Sequence, residues 1–106
     1  MDQSTLTPIA QGTPVIVRAR DAGVHFGLYQ GHLGREVTLT SSRRLWYWKC
    51  AEGISLSGVA TVGIDQKVSK IAAQVERIDI LDACEIIPVT ERAAASIKDA
   101  PDAEAR

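Results

Sequence analysis

Apolar and polar residues alternate with a period of two along three early stretches of the chain. In residues 14–20, Val15, Val17 and Ala19 fall on one side, and Ile16, Arg18 and Arg20 on the other. In residues 24–30, Val24, Phe26 and Leu28 alternate with His25, Gly27 and Tyr29, and in residues 35–40 Val37 and Leu39 share a side. This is the repeat of a strand with one face toward a core. Pro14 suits a strand start, where its missing N–H does little harm. Asp21-Ala22-Gly23 and Gly31-His32-Leu33-Gly34 are turn signals, the second a hairpin loop with two glycines free to take positive φ. Gly27 inside a strand predicts a bulge, or the close approach of another backbone or a ligand.

Ser41-Ser42 breaks the alternation, and Arg43-Arg44-Leu45-Trp46-Tyr47-Trp48-Lys49 follows. Large aromatic side chains pack well on a pleated surface, so this run predicts a further strand. Alternation places Trp46 and Trp48 with Arg44 on one face, and Leu45, Tyr47 and Lys49 with Arg43 on the other. One face is expected to be core, and the other, edged by arginine, to be a binding surface.

Beyond Lys49 the character changes. Cys50-Ala51-Glu52-Gly53 is a small-residue corner, and Ser55 is placed to cap a short helix with Leu56, Val59 and Ala60 on its apolar side. That helix ends near Gly63, and residues 64–70 read as an exposed connection. Residues 71–80 fit two patterns. Ile71, Val75 and Ile78 have helical spacing, while the same stretch also alternates. The preferred reading is a second hairpin, with strands near 71–81 and 84–89. Thr90 then caps a final helix with Ala93, Ala94, Ile97 and Ala100 as its packing stripe, and Pro101 stops it.

The predicted fold is α+β: a small, mainly antiparallel sheet or open barrel of five or six strands, with a short middle helix and a C-terminal helix. A flexible lead-in covers residues 1–13, a single β-rich domain 14–100 and a disordered tail 101–106.

Bulk composition removes several function classes. The chain has 106 residues, a net charge of −1, 45% hydrophobic and 24% charged residues, which is ordinary for one globular domain. A balanced charge argues against binding nucleic acid or a membrane surface by mass electrostatics. No run approaches the roughly 18–20 apolar residues of a membrane span. The N-terminal stretch lacks the basic start and apolar run of a signal peptide. Cys50 and Cys84 lack metal-type spacing and are expected to be reduced thiols.

No catalytic constellation is legible, and the chain is expected to be neither an enzyme nor a holder of a cofactor or metal. Only His25 and His32 are histidines, and nothing local pairs either with a cysteine nucleophile. Asp79, Asp82 and Glu85 read as a solvated hairpin edge. No glycine-rich phosphate loop stands between a strand and a helix. The candidate ligand-binding set is Arg43, Arg44, Trp46, Tyr47 and Trp48 with His25 and Tyr29. If the second and fourth strands lie close together, these residues line one concave patch. Such a patch suits a phosphorylated planar molecule, with arginine on phosphate and a ring on the base.

The runs Ala22-Gly23-Val24-His25-Phe26-Gly27 and Arg43-Arg44-Leu45-Trp46-Tyr47-Trp48 carry a resemblance. So do Ser55-Leu56 with Ala60, and Glu85-Ile86-Ile87-Pro88 before the last helix. Across roughly residues 14–98 the chain resembles a family of short tailed-bacteriophage and prophage proteins catalogued as a domain of unknown function. A glycine commonly follows the aromatic strand in that family, and Cys50 stands there here. The resemblance implies a phage origin and the host cytoplasm, and supplies no catalytic residue. The expected function is sequestration of a small nucleotide-derived immune signal to counter host defence, by a homo-oligomer. The alternative is a module that docks on a host enzyme or virion component through the Arg/Trp/Tyr stretch.

Overall fold

The computed structural model describes residues 7–103, so the expected looseness of residues 1–6 and 104–106 lies outside the described residues. The elements are β1 (Pro14–Ala19), β2 (Val24–Leu33), β3 (Glu36–Tyr47), α1 (Leu56–Val62), β4 (Lys70–Ile71), β5 (Val75–Ile80), β6 (Ala83–Pro88) and α2 (Glu91–Lys98). The fold is α+β, an antiparallel sheet of six strands that does not close, with one middle and one C-terminal helix.

The sheet runs β4-β3-β2-β1-β6, and β5 pairs with β3 beside β4. Two expectations need correcting. Ser41-Ser42 does not separate two strands, because β3 runs through it for 12 residues. The disturbance is a bulge: the β2–β3 register shifts between Phe26 and Leu28, Ser41 takes φ 48°, and the Ser42 hydroxyl donates to the Phe26 carbonyl. A strand absorbs one extra residue this way by bending and twisting more.

The second correction concerns β5 and β6. Strands form there, but the one expected near 71–81 is split into β4 and β5 with residues 72–74 between them, and β5 and β6 do not pair with each other as a hairpin. β5 pairs with β3 and β6 pairs with β1, at opposite ends of the sheet. Leu81-Asp82 offers neither of the positive-φ residues that a tight two-residue hairpin favours. That link reaches about 11 Å at most, so the sheet must curl until its two ends approach.

Curling buries both faces. Ile16, Phe26, Leu45, Val59, Ile64, Ile71, Ala94 and Ile97 form a core between the sheet and the helices. Val15, Val17, Tyr29, Val37, Leu39 and Ile80 form a second core inside the curl. The face of β2 that carries His25, Gly27 and Tyr29 is therefore interior as well. A Cβ on Gly27 would stand 2.9 Å from the Leu39 Cβ, the close backbone approach that a glycine within a strand implies.

The helices follow their sequence signals. Ser55 accepts from the Gly58 N–H and Thr90 from the Ala93 N–H, each as an N-cap. The Thr90 hydroxyl also donates to the Thr61 carbonyl, which joins the start of α2 to α1. Gly63 ends α1 at φ 92°, and a Cβ there would lie 2.4 Å from Ser96 Oγ on α2. Past α2, Asp102 bridges Ile71 in parallel and the Ala103 N–H donates to the Ile71 carbonyl. Residues 102–103 thus lie along β4. At the other end, Gly12 and Thr13 exchange backbone hydrogen bonds with Tyr29.

Candidate functional site

The arginine–aromatic stretch occupies the end of β3, where β3 outruns β2. The last β2 pairing is His25 with Arg44, and Leu45 and Tyr47 pair only with β4. Helix-side packing still covers one face there, so Leu45 is buried and Trp48 packs partly against the same core. The second core does not extend this far. Trp46 is 67% exposed and Tyr47 is 55% exposed. The β3–β4 register shifts between Leu45 and Tyr47, which breaks strict alternation. The two tryptophans therefore do not share one environment.

Arg43 is an internal tie. It is 4% exposed, and its guanidinium donates to six acceptors. Nε reaches the Ala72 carbonyl at 2.8 Å; Nη1 reaches the Ile97, Lys98 and Ala100 carbonyls at 2.8, 3.3 and 2.7 Å; Nη2 reaches the Ile71 carbonyl at 3.3 Å and Asp102 Oδ1 at 2.8 Å. Every N–H of the fork is engaged. A cation beside the last carbonyls of α2 also opposes the negative end of that helix. The group joins β3, β4, α2 and the segment after α2, and it keeps no donor for a ligand.

Arg44 points the other way. It is exposed, and its side chain makes no hydrogen bond or ion pair among the described residues. With His25, Ser42, Ala72, Ala73, Val75 and Ile78 it lines a cleft of about 210 Å³. On its other side it shares a hollow of about 480 Å³ with Asp21, Asp79 and Asp82, among others. His25 is 1% exposed, and its Nε2 lies 2.8 Å from the Ala22 carbonyl oxygen. That oxygen can only accept, so Nε2 carries the proton. Burial pushes the imidazole pKa down, the Ala22 bond works against that, and the charge of Arg44 lowers it further. A neutral ring with its lone pair on Nδ1 results.

The predicted set thus separates into four places. His25 and Arg44 come together; Trp46 and Tyr47 form an outer surface; Trp48 is half-buried; Arg43 and Tyr29 are interior. Two hollows adjoin the outer surface. One, of about 410 Å³, is lined by Trp46, Tyr47, Val68 and Lys70. The other, of about 320 Å³, has Trp46, Gln66, Ser69 and Lys70 facing Pro101, Asp102 and Ala103. The Lys70 ammonium stands 5.4 Å from the centre of a Trp46 ring, a cation–π contact of about 0.5–1 kcal/mol at an exposed site.

Lys70, Val68 and Lys67 were not singled out from the sequence. One signal was there: three of the four lysines, Lys49, Lys67 and Lys70, fall within residues 49–70. Folding sets these segments together, since the Lys49 carbonyl accepts from the Asp65 N–H and the Lys49 N–H donates to Ser69 Oγ.

The acidic cluster disperses. Asp79 takes the Thr38 hydroxyl and Arg77, Asp82 accepts from the Asp21 N–H, and Glu85 pairs with Arg18. Hydrogen bonds from Thr38 and then Arg77 hold the Asp79 carboxyl below its ordinary pKa. No three His, Cys, Asp or Glu residues among the described residues converge as a metal site. Among the described residues no helix is long and apolar enough to cross a membrane.

No curated protein and no solved structure matches the chain. A family model described as a domain of unknown function, DUF6948, matches residues 12–97, from just before β1 into the last turn of α2. That span holds the whole curled sheet, Arg43 and Arg44, and the exposed aromatic pair, and the chain belongs to the DUF6948 family.

Proposed function

We propose that the chain is a non-enzymatic accessory protein of a phage or prophage that docks on an acidic surface of a partner protein through Trp46, Tyr47 and Val68. The observation that carries this is the adjacent exposure of Trp46 and Tyr47 at the overshooting end of β3, with Val68, itself 44% exposed, beside them. Tryptophan and tyrosine are the side chains that most often dominate binding energy, through large, stiff apolar area. Lys70 lines the same hollow, and Lys49 and Lys67 stand next to Trp48 and Val68 in the chain, so cations are concentrated about the patch on a chain of net charge −1. Such a concentration steers an acidic partner and rejects basic ones. The partner is a host enzyme or a virion component met in the host cytoplasm. The phage origin is supported by the sequence resemblance.

The test is capture from phage-infected cells, followed by affinity measurement with the purified partner. Trp46→Ala is expected to weaken binding about thirtyfold, the equivalent of roughly 2 kcal/mol, and added salt is expected to weaken it further. A partner that binds Trp46→Ala as tightly as the native chain overturns the reading. Salt-dependent binding of single-stranded oligonucleotides through the same aromatics would replace it with a stacking platform.

One observation favours a second reading, small-anion binding: Arg44 and His25 line a single cleft. In that reading the chain withdraws a small anionic signal, such as the nucleotide-derived one that the sequence suggests, and so counters host defence.

A further inference from the structure

The cleft beside Arg44 has a defined polar inventory. Ser42 spends its hydroxyl on the Phe26 carbonyl. His25 spends Nε2 on the Ala22 carbonyl, and no described group bonds its Nδ1. No buried side-chain nitrogen or oxygen among the described residues is both dry and unpaired. Nδ1 is left without a described partner, and His25 is one of the residues that line the cleft. The remaining polar side-chain groups are one acceptor, Nδ1, on a ring that is 1% exposed, and one cation, Arg44, at the exposed side. The other walls, Ala72, Ala73, Val75 and Ile78, are aliphatic, and no carboxylate lines this cleft. Asp21, Asp79 and Asp82 face Arg44 from the neighbouring hollow instead.

We infer that this cleft binds a short aliphatic hydroxycarboxylate, with its carboxylate on Arg44 and its hydroxyl donating to His25 Nδ1. The inference rests on the small-anion reading and narrows it. A lone-pair acceptor asks for a ligand O–H, and a guanidinium asks for an anion, bidentate where the anion is planar. Methyl and methylene walls ask for a short saturated chain. A volume of about 210 Å³ lies below the roughly 300–1,000 Å³ of sites that enclose drug-sized ligands. The only aromatic ring lining the cleft is the His25 imidazole, which is 1% exposed, so a nucleobase has no open ring face to stack on.

The experiment is a nitrogen-15 NMR titration of the intact chain at neutral pH, reading the His25 ring nitrogens and Arg44 Nε. The probes are 2-hydroxybutyrate, butyrate, 2-butanol and AMP. 2-Hydroxybutyrate is expected to shift both sets of resonances. Butyrate lacks the hydroxyl and 2-butanol lacks the carboxylate, and each is expected to bind at least about tenfold more weakly, the effect of one hydrogen bond involving a charged or buried group. Arg44→Met, which removes a side chain with no described partner, is expected to weaken 2-hydroxybutyrate by a similar factor. Ala73→Leu, which fills the cleft, is expected to abolish the shifts. Butyrate binding as well as 2-hydroxybutyrate overturns the role of His25. AMP shifting these resonances while 2-hydroxybutyrate does not ends this ligand class and leaves the small-anion reading standing. No shift with either ends both.

Discussion

Adjacent arginines on one strand have opposite roles here, and the difference lies in what each meets. Arg43 projects into the helix-side core and donates to the carbonyls of Ile71, Ala72, Ile97, Lys98 and Ala100 and to Asp102. Arg44 projects the other way and meets no partner among the described residues. Removing the Arg43 guanidinium leaves several carbonyls short of a donor, each a loss of about 1–3 kcal/mol when buried. Arg43→Met is therefore expected to lose about 3 kcal/mol or more, a Tm drop of roughly 12–24 °C for a domain of this size. Arg44→Met is expected to stay within about 0.5 kcal/mol. Thermal unfolding of the two variants side by side checks this, and equal losses would contradict the separation. The sequence identified both arginines as unusual. It could not say which was internal, because that depends on where the end of α2 comes to rest.

The caps and stripes of α1 and α2 are legible because they are local. Ser55 and Thr90 reach amides three residues away, and Ala93, Ala94 and Ile97 share a face by helical spacing alone. The strands are legible as strands for the same reason, but not the bulge that carries β3 through Ser41-Ser42. Nor is the partner choice of β5 and β6, since pairing joins residues far apart in sequence. Gly27 is the position where the local and the distant meet. Its lack of a Cβ admits Leu39 across the bulge. Gly27→Ala is expected to overpack the second core at a loss of about 1–3 kcal/mol, while Gly12→Ala, where nothing lies within 4 Å but φ is +90°, tests backbone strain alone. Chemical denaturation of Gly27→Ala with and without Leu39→Gly, which removes the Cβ that the new methyl meets, separates the two effects. Relief of the Gly27→Ala loss by the second change is expected, and additive losses would contradict it.

At the scale of the molecule, the curled sheet leaves two strands with an outer edge that no described residue pairs. Among the described residues β5 pairs only with β3 and β6 only with β1. Unpaired edges template further pairing unless charge or curvature blunts them. Glu76, Arg77 and Asp79 supply charge on β5, yet Val75 there is exposed. Self-association through an edge is expected, with a dimer as the default. Light scattering at tens of micromolar should report twice the chain mass, and a single-chain mass would end that expectation. The exposed pair Trp46 and Tyr47 also belongs to this scale. It exists because β3 is longer than β2, so the inner core stops short of the strand end.

What the sequence by itself determined is the α+β class, the two helices with their caps, the places of most strand segments and the concentration of unusual side chains around residues 43–48. These follow from spacing and from contacts within a few residues. Only the tertiary structure decided that both faces of the sheet are buried and that β5 and β6 lie at opposite ends of it. The same holds for Arg43, spent inside, and for Lys70 and Val68 beside Trp46. Each of those depends on which distant segments meet once the sheet curls, and a short two-residue link makes it curl.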